Sequence, residues 1–166
     1  KIVNTNRDMY QNVSEDATIS LLEKAEGGKV SIKDITNALD EFKRLYKAGI
    51  ASAAEIMTLH RAFPDNEVYQ KEARKLEKRE IEPVVLGGPA SVELVDREGH
   101  LITTSALGKA FENYMKSFRT RNAMVLHSDV QVGWALPAYI NKSGQIFKSG
   151  VNENGLFFIT EMRNDT

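Results

Sequence analysis

The chain has no cysteine in 166 residues. That absence excludes a disulfide framework, a thiolate nucleophile and any zinc site built on sulfur, and it is compatible with a reducing compartment. Proline is scarce at 4 residues and tryptophan scarcer at 1. Long apolar runs are missing as well. A stretch such as Leu156-Phe157-Phe158-Ile159 falls far short of the ~18 residues a membrane span needs, and no signal-peptide pattern opens the chain. Nor is there an excess of either charge: 22 Lys and Arg stand against 23 Asp and Glu, a net −1. Such a balance argues against nucleic acid or an anionic membrane as partner, unless charge clusters locally. What is present is 42% hydrophobic and 27% charged sequence, the make-up of a soluble globular protein of one domain or two small ones. The chain begins at Lys1 and stops at Thr166 just after a strand-like stretch, so a fragment or processing product is expected.

Two kinds of sequence meet near Glu82. Residues 1–82 hold 14 of the 22 bases and 15 of the 23 acids but only 5 of the 13 aromatics. They read as helices with helix punctuation. Ser14 with Glu15 and Asp16 opens one, closed by Gly27-Gly28. Ser31 with Asp34 opens a second, whose stripe is Ile35, Ala38, Leu39, Phe42 and Tyr46 and whose stop is Gly49. Ser52 and Glu55 form a capping box before Ile56, Leu59 and Phe63, ended by Pro64. Asp65 or Asn66 starts a last helix carrying Tyr69, Ala73 and Leu76; the tail from Lys71 to Glu80 alternates charge and reads as a solvated face whose acids cancel its bases.

Residues 83–166 change period. Pro83–Leu86 and Ala90–Val95 are short β-rich runs, with Gly87-Gly88-Pro89 read as the turn between them. Asp96-Arg97-Glu98-Gly99 is another turn. A helix from Thr104 or Ser105 to Phe118 places Leu107, Ala110, Phe111, Tyr114 and Phe118 on one face. Ala123–Leu126, Val132–Ile140 and Leu156–Met162 follow as strands, broken at Asn141-Lys142-Ser143-Gly144 and Asn152-Glu153-Asn154-Gly155. The fold class expected is α+β, a helical N-terminal segment followed by strands of a barrel or sheet with one packed helix. No internal repeat or low-complexity stretch appears.

Three histidines could carry chemistry. His60 sits beside an apolar helical stripe and reads as a partly exposed bystander. His100 follows the acidic turn. His127 ends the run Ala123-Met124-Val125-Leu126 and precedes Ser128-Asp129. Rigid backbone with a ring facing outward is the placement a general base needs, and Asp129 is available to orient it. Taken alone, the position suits a strand-end histidine with satisfied hydrogen bonds better, which is the commoner case. Ser128 is a poor nucleophile for it, since neighbouring side chains on an extended chain point to opposite faces. Ser105, Ser143 and Ser149 read as caps or turn residues, and no Gly-x-Ser-x-Gly elbow is present. No His/Asp/Glu set has metal-ligand spacing and no glycine loop matches a phosphate cradle, so neither metal nor cofactor is expected. Trp134 reads as core. Three Asn-x-Ser/Thr triplets, beginning at Asn12, Asn141 and Asn164, read as chance.

The order of motifs in the second half resembles the prohead (head maturation) serine proteases of tailed bacteriophages. Ala90-Ser91-Val92-Glu93-Leu94-Val95-Asp96-Arg97-Glu98-Gly99-His100-Leu101-Ile102 is similar to that family's opening strand and acidic turn, and Ser105–Phe118 to its helix. Met124-Val125-Leu126-His127 with Val132-Gly133-Trp134 resembles the strand that ends in the catalytic histidine and the glycine after it; Glu153-Asn154-Gly155-Leu156-Phe157-Phe158-Ile159 is similar to the later turn and apolar strand. The match spans residues 90–163. It implies an assemblin-like β-barrel, incomplete in this chain, that cleaves scaffold and capsid proteins inside the procapsid, in a virion assembled in the host cytoplasm, with scaffold and capsid proteins and a second copy of itself as partners and neither nucleic acid nor membrane. By carry-over His127 is the general base. His100 departs from the family, which often has an acid after the turn's glycine. The family's nucleophilic serine lies beyond the matching segment, so this chain alone is expected to be inactive, and residues 1–82 are left as a docking or scaffold-like segment. Two other readings stand beside this one: a non-catalytic virion structural or scaffold protein of the same fold, and a helical binding module fused to a small β domain.

Overall fold

A computed structural model describes residues 32–116, 122–124, 130–153 and 155–163. The expected first helix at Ser14–Gly27, the cap Ser31, and Phe118, His127, Ser128, Asp129 and Asn154 lie outside the described residues. The elements in chain order are α1 (Ile32–Lys47), α2 (Ala53–Ala62), α3 (Glu67–Lys78), β1 (Val84–Val92), α4 (Thr104–Lys116), β2 (Asn122–Met124), β3 (Gln131–Leu136), β4 (Ala138–Ile140), β5 (Ile146–Lys148), β6 (Gly150–Asn152) and β7 (Gly155–Met162). The class is α+β, with antiparallel strands and no closed barrel among the described residues. Two compact units form: Lys1–Pro83 with Ala138–Phe147, and Val84–Pro137 with Lys148–Thr166.

In the first unit the helical stripes do what their spacing demands. Ile35, Leu39, Phe42 and Leu45 of α1 meet Leu59 and Ala62 of α2 and the following Phe63 in one buried cluster. The Ser52–Glu55 capping box is complete, each side chain accepting from the other's backbone N–H, and Asn66 caps α3 by accepting from Val68 and Tyr69. Both α1 and α3 end in the same way. The N–H groups of Gly49 and Ile50 reach back to the carbonyls of Tyr46 and Leu45, and those of Glu80 and Ile81 to Glu77 and Leu76, the two-bond stop that requires a left-handed residue. Gly49 takes it at φ +74°; at the second stop a glutamate does so, Glu80 at φ +55°.

The sequence pattern did not assign Ala138–Phe147 to this unit. The hairpin's Ile140 and Ile146 are 2% and 1% exposed and complete the helical cluster. Two side chains one turn apart on α2 hold Ile140 by its backbone: its N–H donates to Thr58 Oγ1 at 3.4 Å and its carbonyl accepts from Arg61 Nη1 at 2.7 Å. They serve as the bonding partner that this short strand lacks on its outer side.

The second unit is a sheet in the order β1-β7-β3-β2, with β6 also on β7. Gly87-Gly88-Pro89 is no turn: it lies inside β1, paired from Val84↔Met162 to Val92↔Gly155. An edge strand tolerates a residue with no N–H, and a bulge between Pro89 and Ser91 absorbs the misfit. Gly87 leaves room for the Phe157 ring, 3.2 Å from where its Cβ would stand. β1 stops at Val92, short of the expected Val95, where its pairing with β7 runs out at Gly155; the Glu93 carboxylate then accepts from Thr104 N–H at 2.6 Å, and Thr103 caps α4 through Ala106 N–H. α4 packs on the sheet through Phe111 and Tyr114, whose rings lie 6.3 and 5.9 Å from that of Phe158. Ala110, expected in this stripe, is exposed, and Phe111 is only half-buried.

Candidate functional site

His127 and its neighbours Ser128 and Asp129 lie outside the described residues, but both flanks of their segment are described. β2 and β3 pair antiparallel as Asn122↔Trp134 and Ala123↔Gly133, with a bulge before Met124↔Gln131. Gln131 Nε2 donates to Asn122 Oδ1 at 2.8 Å and to the Gly133 carbonyl at 3.1 Å. Tyr114 of α4 donates its hydroxyl to the Asn122 carbonyl at 3.0 Å. Gly133 is obligatory: any Cβ there would collide with the Glu161 carbonyl of β7. Trp134, half-buried and not fully core, donates its indole N–H at 3.0 Å to Glu161, whose carboxylate is buried in the sheet.

Two of the expected turn and cap serines have committed hydroxyls. Ser149 is 3% exposed. Its hydroxyl donates to the Leu136 carbonyl at 2.6 Å and accepts from Ile159 N–H at 2.9 Å, while its own N–H reaches Pro137. β3 pairs with β7 at Ile159–Met162 and β6 pairs at Gly155–Phe157, so Ser149 bridges the break between them, where the chain departs for the β4–β5 hairpin. Ser143 donates to Asn141 within the hairpin turn. Ser105 lies exposed in the first turn of α4.

The acidic turn gathers the donors that sequence spacing did not suggest. Asp96 Oδ1 accepts from Glu98 and His100 N–H, and Gly99 at φ +81° closes the loop. His100 Nδ1 then lies 3.5 Å from Asp96 Oδ2 and 3.6 Å from Glu98 Oε2, and the three groups keep one ligand atom each within 4.8 Å of one another. Three oxygen and nitrogen donors are a set that a divalent cation accepts, here wholly exposed. The signal in the sequence was the Asx-x-x-Gly-x pattern, which recurs with the same bonds at Asn141–Gln145.

A second concavity belongs to the first unit. A cleft of about 500 Å³ is bounded by Met57, His60 and Arg61 of α2, by the end of α3 with Ile81–Pro83, and by Lys142. Burial, opposed by Glu77, holds the His60 imidazole below its usual pKa, and its Nδ1 is sealed without a hydrogen-bond partner, so the ring is neutral at pH 7. Lys142 bonds to Glu82 and keeps that carboxyl below its ordinary range. Arg61 spends Nη1 on the Ile140 carbonyl and on the Tyr139 hydroxyl. Periodicity made His60 a bystander; that it borders a cleft depends on the hairpin that brings Lys142 near.

No family model, no curated protein and no solved structure matches the chain.

Proposed function

We propose that this chain is part of a capsid-maturation serine protease of tailed bacteriophages, assemblin-like in its β part, that cleaves scaffold and capsid proteins in the procapsid. The observation that carries the reading is the placement of the resembling motifs. The end of β1, the Asp96–His100 turn, α4, β2, β3 with Gly133 and β7 with Gly155 all fall in one antiparallel unit. Both of those glycines are imposed by close backbone approach: a Cβ on Gly155 would strike the Ser91 carbonyl, as one on Gly133 would strike Glu161. His127 falls in sequence between β2 and β3, which are paired to each other and tied by Gln131 and Tyr114. As general base its neutral imidazole takes the proton of a serine hydroxyl as the oxygen attacks the scissile carbonyl, then returns it to the leaving amine. The nucleophile is none of Ser52, Ser143 and Ser149, whose hydroxyls hold backbone or turn. That same observation favours the second reading, a virion structural or scaffold protein that keeps the fold without catalysis.

The test is His127→Ala in the phage gene product that contains this chain. Scaffold and capsid cleavage, followed by gel and mass spectrometry on assembled particles, is expected to fall by at least ~10³-fold, with the circular dichroism spectrum unchanged. Cleavage at the wild-type rate refutes the catalytic reading and leaves the structural one.

A further inference from the structure

β1 is the free edge of its sheet. Among the described residues it borders β7 and no other strand, and none of its nine residues is buried. Bonds on the far side of β7 show which way the β1 backbone faces. Arg163 N–H donates to the Val132 carbonyl, and the Ser149 hydroxyl links Ile159 N–H to the Leu136 carbonyl, so Ile159, Glu161 and Arg163 turn their backbone groups toward β3. These groups alternate along a strand. Phe158, Thr160 and Met162 therefore turn theirs toward β1, where they stand opposite Gly88, Leu86 and Val84. Val85, Gly87 and Pro89 are left facing away from the sheet. That suits Pro89, which has no N–H to leave unpaired; Val85 and Gly87 present two donors and two acceptors along an open edge.

Such an edge is ordinarily guarded by charge. Residues 83–92 carry none, in a chain that is 27% charged, while Val84 and Leu86 are 46% and 57% exposed. Charge would be a fault if this edge met its own copy, because a two-fold axis brings like groups together. The order of side chains also complements its own reverse. With two copies antiparallel and the axis at Leu86, Val84, Val85 and Leu86 stand opposite Gly88, Gly87 and Leu86 of the second copy, so each valine meets a glycine. Val85 and Gly87 then exchange all their outward N–H and C=O groups with Gly87 and Val85 of the second copy. Pro83 falls opposite Pro89 of the second copy, and the ladder ends where neither chain has a donor. Moving the axis to Gly87 sets Val85 opposite a proline, and moving it to Val85 does the same to Gly87, leaving a carbonyl without its donor in either case.

We propose that β1 is a self-association edge: two copies of this chain pair through residues 84–88, antiparallel about an axis at Leu86, into one continuous sheet. Five residues a side fall well short of the ~20–30 of a standard interface, so the pair is weak and forms where copies are concentrated. The assignment is independent of the protease reading, since it uses only β1 and its pairing with β7.

Sedimentation equilibrium of the full chain, from ~10 μM to ~1 mM to cover weak pairs, tests this. The mean mass is expected to rise from 18.6 kDa toward twice that value. Leu86→Lys and Leu86→Glu, at an exposed position, should each keep the wild-type circular dichroism spectrum and weaken association at least ~10-fold by setting like charges opposite each other at the axis. Mixed in equal amounts, the two variants should regain association to within ~3-fold of wild type, because the axis then joins opposite charges. Val68→Lys, at a position 53% exposed on α3, should associate as wild type does. A wild-type chain that stays at 18.6 kDa throughout overturns the proposal and leaves the edge to a strand of another protein. Association that both Leu86 variants retain, or that their mixture fails to restore, overturns it as well.

Discussion

Replacing Ile146 with Ala tests whether the β4–β5 hairpin is structural to the helical unit. Ile146 is 1% exposed and shares a cluster with Phe42, Leu45, Leu59 and Ile140. The substitution deletes three carbons, worth about 2.4 kcal/mol at ~0.8 kcal/mol per buried methylene. A residual cavity adds to this, because α2, fixed by its capping box, and a hairpin held by Thr58 and Arg61 cannot fully collapse into the space. The expected total is ~3–4 kcal/mol. Urea unfolding followed at 222 nm is the assay, since α1, α2 and α3, with 16, 10 and 12 residues, outweigh the 13-residue α4 of the sheet unit. At ~1–2 kcal/mol per molar of urea, the midpoint should fall by roughly 1.5–4 M. Val68→Ala, at a position 53% exposed, is the control and should stay within ~0.5 kcal/mol. A loss for Ile146→Ala below ~1 kcal/mol, no larger than that of the control, would show that the helical core closes without the hairpin.

Three further outcomes follow from particular atoms. Glu80→Gly should raise stability by about 1 kcal/mol, read as a higher urea midpoint, because it removes a side chain from a left-handed backbone; a decrease would mean that the carboxylate stabilises more than the strain costs. Ser149→Ala should cost about 1–3 kcal/mol by leaving Ile159 N–H and the Leu136 carbonyl without that hydroxyl, seen as an earlier transition in the fluorescence of Trp134, the chain's one tryptophan; an unchanged midpoint would place water or another group in the gap. For His60 the folded pKa lies below the unfolded value of 6.5, so the unfolded chain binds the proton more readily and stability is full above about pH 6.5 and declines as the pH falls below it. His60→Gln should flatten that decline between pH 7.5 and 5.5, and an identical slope in the variant would remove His60 as its cause.

The parts of this structure that could be read from the sequence are those whose signals are local. A cap and its stop lie within a few residues of the helix they bound, so Ser52 with Glu55, Asn66, and Gly49 announced α2, α3 and the end of α1 correctly. The apolar stripe of Ile35, Leu39 and Phe42 needed only a period of 3.6 to declare its buried face. The Asx-x-x-Gly turns at Asp96 and Asn141 likewise carry their bonds within five residues. Gly87-Gly88-Pro89 misled because the same residues that make turns also suit an edge strand, and only the pairing partner distinguishes the two. Leu156–Met162 supplies that partner some 70 positions away.

The hairpin shows the same limit at the level of the core. Ile140 and Ile146 flank a turn in a β-rich half, and nothing in their own neighbourhood points to helices; what assigns them is Thr58 and Arg61, about 80 residues earlier, spaced one helical turn apart so that one accepts from and the other donates to a single residue. The candidate sites inherit this. The resemblance singled out His127 from motif order, which is local along the chain. The cleft beside His60 exists only because the hairpin brings Lys142 to Glu82, 60 residues away in sequence. A histidine judged by its own helix reads as a bystander, and one judged by the fold borders a cleft and faces Glu77. The charge count behaves the same way: Lys71–Glu80 is balanced when summed along the chain, yet on α3 Lys71, Arg74, Lys75 and Lys78 share one side while Glu77 and Glu80 border the cleft. Helical geometry separates charges that adjacency cancels.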